Sequence, residues 1–118
     1  MTPILDTNTL YQRGFELRCE GRYREARTEL NKVLEIDPNH LEAQWQLGLI
    51  QGFEGDFDGS LATLGKLVQA SPTNTNIRYD LAMTQMMLGM YEQACENLRL
   101  VLQQNPGHEK AKNQIGFC

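Results

Sequence analysis

Prolines stand at Pro38, Pro72 and Pro106, an interval of 34 residues held twice. Glycines keep the same interval at Gly21, Gly55 and Gly89, each followed two residues on by an aromatic, Tyr23, Phe57 or Tyr91. Small residues form two further columns, Gly14, Gly48, Ala82 and Ala26, Ser60, Ala94, and leucines a third, Leu30, Leu64, Leu98. A fixed period across this many columns means three copies of one structural unit, at 7–40, 41–74 and 75–108. Residues 1–6 are then an N-terminal lead-in. Residues 109–118 are a capping helix or the start of a truncated fourth copy.

Each column has a physical role. Before each column glycine the apolar residues follow a helical period, as with Ala43, Leu47 and Ile50. The glycine supplies the left-handed residue that ends a helix without steric strain. A second helix follows, with apolar residues three and four apart: Ala26, Leu30, Val33, Leu34; Leu61, Leu64, Leu67, Val68; Ala94, Leu98, Val101, Leu102. Proline ends it and turns the chain. Asn39, with Glu42 three residues on, reads as the N-cap and capping box of the next helix. The small columns let paired helices approach. Helices are expected near 7–20, 23–36, 41–54, 57–70, 75–88 and 91–104, with a shorter seventh from about 109 and no sheet.

The pattern resembles the tetratricopeptide repeat (TPR) family, whose unit has 34 residues. The resemblance covers residues 7–108. It is carried by Leu47-Gly48, Gly55-Asp56-Phe57-Asp58, Leu64 and Pro72, by Leu81-Ala82, Gly89, Tyr91, Ala94, Leu98 and Pro106, and by Gly14, Gly21, Tyr23, Ala26, Leu30 and Pro38. It implies an all-α solenoid, a right-handed superhelix of antiparallel helix pairs, six helices plus a short C-terminal one. It also implies a protein-binding scaffold without catalysis or cofactor. The chain departs from the family at two slots: an early tryptophan slot holds Leu10, Gln44 and Arg78, and a later aromatic slot holds Leu17, Gln51 and Gln85.

The family resemblance implies that first helices line a concave groove. Residues four and eight apart share a helix face. On the face away from the small column lie Tyr11, Phe15 and Cys19; Trp45, Leu49 and Phe53; Tyr79, Met83 and Met87. Asn8, Gln12, Glu42, Gln46, Asn76 and Asp80 flank them. An aromatic and apolar stripe on an open face calls for a ligand, and Gln12, Gln46 and Asn76 are suited to orient its backbone. A small helix rotation would instead turn Trp45 into the core. Some TPR domains clamp a carboxylate tail with Lys, Arg and Asn; here the matching positions hold Tyr11, Phe15, Gln46, Asn76 and Asp80, with no cation to do so. The expected partner is a protein or peptide with apolar or aromatic side chains, mildly basic. The alternative is self-assembly into a homo-oligomer through the same groove.

The remaining chemistry reads as bland. The formal net charge of −4 argues against nucleic acid. Residues 41–74 hold one basic group, Lys66, against Glu42, Glu54, Asp56 and Asp58. No apolar run approaches a membrane span, and the opening residues lack a signal peptide's basic start and apolar stretch. Cys19, Cys95 and Cys118 are odd in number and far apart, which reads as neither a disulfide framework nor a zinc site and points to a reducing, cytoplasmic setting. His40 and His108 read as solvated turn residues with no shared metal. Arg22, Arg24, Arg27 and Lys32, alternating with Glu25 and Glu29, read as a solvated ion-paired face.

Overall fold

A computed structural model describes residues 6–118; residues 1–5, most of the expected lead-in, lie outside the described residues. Among the described residues there are seven helices and no strand: α1 Thr7–Cys19, α2 Tyr23–Ile36, α3 Leu41–Phe53, α4 Phe57–Ala70, α5 Thr75–Met87, α6 Tyr91–Gln104 and α7 Glu109–Ile115. Consecutive helices pack most closely, and α3 also touches α1 and α5, so the odd-numbered helices share one face. None of the helices is long and apolar enough to cross a membrane.

Local chemistry sets each boundary. Gly21, Gly55 and Gly89 have φ of 78°, 88° and 75°. The Gly21 N–H donates to Arg18 O at 2.9 Å and the Arg22 N–H to Leu17 O at 2.9 Å. That pair of bonds is a Schellman motif, repeated at Gly55–Asp56 and Gly89–Met90. The second helices stop two residues before each proline. Asp37, Ser71 and Asn105 are held at φ −133°, −137° and −139°, because the proline ring pushes the preceding residue out of the helical region.

The first helices begin on a column the sequence reading passed over. Asp6, His40, Asn74 and His108 are each N-caps whose side chains accept from the backbone N–H three residues on, in Thr9, Ala43, Ile77 and Ala111. Asn39, expected to be the cap of α3, lies one residue too early; its N–H takes Asp37 Oδ1 at 3.2 Å instead. His40 and His108 are therefore not free turn side chains. His108 is buried.

Leu30, Leu64 and Leu98 are fully buried between helices, and Ala26, Ser60 and Ala94 are buried as well. The small column is a matter of clearance. A Cβ added at Gly14 would stand 2.7 Å from Leu30 Cγ, and one at Gly48 would stand 3.1 Å from Leu64 Cδ2.

In the second and third copies both departures from the family pattern are occupied by hydrogen-bonding side chains. In the early slot, Gln44 Nε2 donates to Pro38 O at 2.6 Å, and Arg78 Nη2 to Pro72 O at 3.3 Å. Each ties its helix to the preceding turn. In the later slot, Gln51 Oε1 accepts from Thr63 Oγ1 at 2.7 Å and Gln85 Oε1 from Asn97 Nδ2 at 2.8 Å. These partners are themselves 34 residues apart, so the same polar tie joins α3 to α4 and α5 to α6.

The cysteines correct the sequence reading. Cys95 of α6 and Cys118 form a disulfide, with Cα atoms 5.8 Å apart. Far apart in sequence, they meet because α7 folds back against α6. Cys19 is free and exposed. With a cystine in the fold, cysteine usage no longer singles out a reducing compartment.

A two-part groove on the face of the odd-numbered helices

Trp45 is half-buried, its ring packed against the cluster of Leu64, Leu67 and Ile77. Its indole N–H donates to Asp80 Oδ2 at 2.8 Å across 35 residues of sequence. Tyr11 stands one copy earlier in the same slot as Trp45, and Gln46 in the same slot as Asp80. Burial pushes the Tyr11 phenol up, and the neighbouring Gln46 side chain opposes that. At Trp45 the aromatic slot thus ties α3 to α5, besides presenting a ring to the surface. Gln46 is only 4% exposed and its Oε1 has no hydrogen-bond partner among the described residues, so it is not placed to orient a ligand.

The rings also meet the cap column. Tyr11 lies 5.4 Å from His40 and Tyr79 lies 5.3 Å from His108, centroid to centroid. His108 is fixed on both sides: Nδ1 accepts from the Ala111 N–H at 3.1 Å, and Nε2 lies 2.9 Å from Asn76 Oδ1. With the acceptor role at Nδ1, the proton sits on Nε2 and donates to Asn76.

Two hollows adjoin along this face. One, of about 440 Å³, is lined by Trp45, Asn76, Tyr79 and Asp80, with Asn105, His108, Glu109 and Lys110 from the approach to α7. The other, of about 500 Å³, is mainly apolar and lined by Leu49, Phe53, Met83 and Met87, with Gly52, Phe57, Ser60 and Thr84. Asp80 borders both. Burial pushes the Asp80 carboxyl above its ordinary 3.8; the Trp45 hydrogen bond works against that, as do the more distant charges of Lys110 and Arg18.

Of the residues read from sequence, the second and third copies supply these walls. The first copy does not. Its Phe15 stacks under the Arg18 guanidinium, 5.2 Å from the ring centroid, and Arg18 also lies 5.8 Å over Phe53. Tyr11 and Phe15 stand 6.2 Å apart. Asn8, Gln12 and Glu42 are exposed and border neither hollow.

The sequence reading missed Gly52, Phe57, Ser60 and Thr84, and everything from the approach to α7. Gly52 had a usable signal: its slot holds Arg18 and Met86 in the other copies, so the second copy lacks a side chain where the hollow opens.

The ion-paired face of α2 forms in part: Arg22 pairs with Glu20 and Glu25 and Lys32 with Glu29 at 3.3 Å, while Arg24 has no ion pair among the described residues. Arg27 reaches across to Glu54 at the end of α3.

Comparison with known proteins agrees with this architecture. A tetratricopeptide repeat family model matches residues 54–115, and a second one matches residues 7–40. No curated protein sequence matches the chain. Among solved structures, MamA from Desulfovibrio magneticus RS-1 is similar at 28% identity and a TM-score of 0.82, over 95% of this chain and 63% of that one. Another MamA structure is 21% identical with a TM-score of 0.82, over 94% and 65% of the two chains. YrrB, described as a TPR protein with an unusual peptide-binding site, is 23% identical with a TM-score of 0.81, over 93% and 57%. At those last two identities the likeness is one of fold. The chain spans less than two thirds of the length of each of these solved chains. With a family model over more than half of its length and the helix pairs to match, the chain belongs to the tetratricopeptide repeat family.

Proposed function

We propose that this chain is a protein-binding scaffold that takes a peptide or helix into the groove formed by its odd-numbered helices. The observation that carries the reading is the pair of adjoining hollows on one face, one lined mostly by polar residues and one apolar. Phe53 and Met87 stand 55% and 67% exposed at the apolar one. Large apolar side chains left open at a preformed hollow are the feature that marks a binding surface. Methionine adapts to varied partners, and aromatic anchors supply most of the energy at such interfaces. YrrB, alike in fold, is described as having a peptide-binding site. The reading assigns the chain no chemistry of its own.

The test uses peptides selected from a displayed random library on the immobilised chain, then titrated by calorimetry. Phe53→Ser and Met87→Ser remove exposed side chains, so the fold should survive, and each is expected to weaken binding by about tenfold or more. Lys32→Ala, on the far side in α2, is expected to change it less than twofold. Loss of binding in Lys32→Ala with retention in folded Phe53→Ser would place the site elsewhere. Light scattering over a dilution series reads the self-docking alternative directly, as a mass that rises with concentration and falls in Met87→Ser.

A further inference from the structure

Asp80 is the one acidic side chain bordering both hollows. Its hydrogen bond to Trp45 engages Oδ2 alone. No cation among the described residues lies within ion-pair distance of it. The Arg18 guanidinium is engaged by the Phe15 and Phe53 rings. Lys110, exposed on α7, lines the same polar-residue hollow as Asp80 but does not pair with it. The carboxylate therefore faces the groove with an acceptor oxygen to spare, in a partly desolvated setting where a charged donor gains more than a neutral one. Beside it the wall turns apolar at Leu49, Phe53, Met83 and Met87.

We propose that the ligand is a partner-protein segment that seats a lysine or arginine on Asp80 and lays a large apolar side chain into the adjoining hollow. Because Asp80 belongs to both hollows, the cation and the apolar residue must be neighbours on the ligand surface: adjacent in an extended segment, or one turn apart in a helix. An acidic or carboxylate-terminal ligand would meet Asp80 as a like charge and is disfavoured at that position. The inference rests on the groove reading above and adds to it the ligand's chemistry.

The probe is the same displayed random peptide library, panned in parallel on the wild-type chain and on Asp80→Asn. Asparagine keeps an oxygen for the Trp45 indole while removing the charge, so the fold is preserved, and thermal melts verify it. The expected result is enrichment of peptides carrying Lys or Arg within four residues of Phe, Leu, Met or Trp on the wild type, with the basic residue alone losing its enrichment on Asp80→Asn. For the best peptide, replacing its cation by Gln should raise Kd about tenfold on the wild type and less than twofold on Asp80→Asn. The wild-type Kd should also rise with salt. Binding should shift the emission of Trp45, the chain's single tryptophan. Peptides with an apolar anchor but no cation preference would overturn the proposal and leave the groove reading standing. Peptides indifferent to Phe53→Ser and Met87→Ser, or no enrichment at all, would overturn both.

Discussion

At the level of single side chains, clearance and charge make opposite demands. Gly14 has no room for a methyl group against Leu30, whereas Gly65, inside α4, has nothing within 4 Å of where a Cβ would go. Gly14→Ala is therefore expected to lower stability by about 1–3 kcal/mol through overpacking. Gly65→Ala should raise it by about 0.5–1 kcal/mol, because alanine loses less backbone entropy in a helix. Urea midpoints of the two variants should move in opposite directions. Asp80 gives a prediction in pH. Its folded-state pKa lies above its unfolded value, so the folded chain holds this proton more tightly. The resulting stabilisation is fully present at pH below the ordinary aspartate value and is lost as pH rises through the raised pKa. Melts of wild type and Asp80→Asn, compared at about pH 3.5 and pH 7, should show the wild type losing ground relative to the variant at the higher pH. A gap that is constant with pH would mean that the buried carboxylate titrates alike in both states.

Helix starts and the last helix supply the next pair of expectations. His40 and Asn74 cap α3 and α5 in one slot with one geometry, so His40→Asn should be nearly neutral while His40→Ala loses about 1 kcal/mol. Equal midpoints for the two variants would show that the His40 ring contributes through Tyr11 packing and not through its cap. The seven-residue α7 is too short to be stable alone. It is held by Ala111, fully buried, by Ile115 against the cluster of α5 and α6, and by the disulfide across 23 residues. Reducing that bridge releases a closed loop, and the loop-entropy estimate puts the loss at about 3 kcal/mol. Amide exchange with and without dithiothreitol should show protection falling over 109–115 before it changes in α3 and α4.

Taken whole, the chain is an elongated stack, 56 × 27 × 22 Å, with a radius of gyration of 15.2 Å. A compact domain of this length would be near 13.5 Å, about 2 Å smaller. Contacts run chiefly between neighbours in the stack, so stability adds up unit by unit along it. Small-angle scattering should return the larger radius, and an unchanged radius after adding a selected peptide would place that peptide in the groove and not at an end.

The helices, their ends and the packing columns were legible in the sequence, because each depends on contacts a few residues away or one period away. A left-handed glycine, a proline two residues past a helix end and a methyl-sized gap facing a leucine leave the same mark three times. The cap column at Asp6, His40, Asn74 and His108 was equally periodic but hid behind its mixed residue types; what unites them is a side-chain acceptor at one distance, not one chemistry. The proposed groove was half legible. Helical spacing put Trp45, Leu49, Phe53, Tyr79, Met83 and Met87 on one face, but spacing within a helix says nothing of depth. Gln46 and Asp80 share a slot, yet one is buried behind a tyrosine and the other borders both hollows. Folding also brought α7 against α6, which set His108 beside Tyr79 and joined two cysteines 23 residues apart. Those outcomes depend on how far each helix turns and tilts against its neighbours, a quantity set by the packing of all their side chains together and carried by no single column.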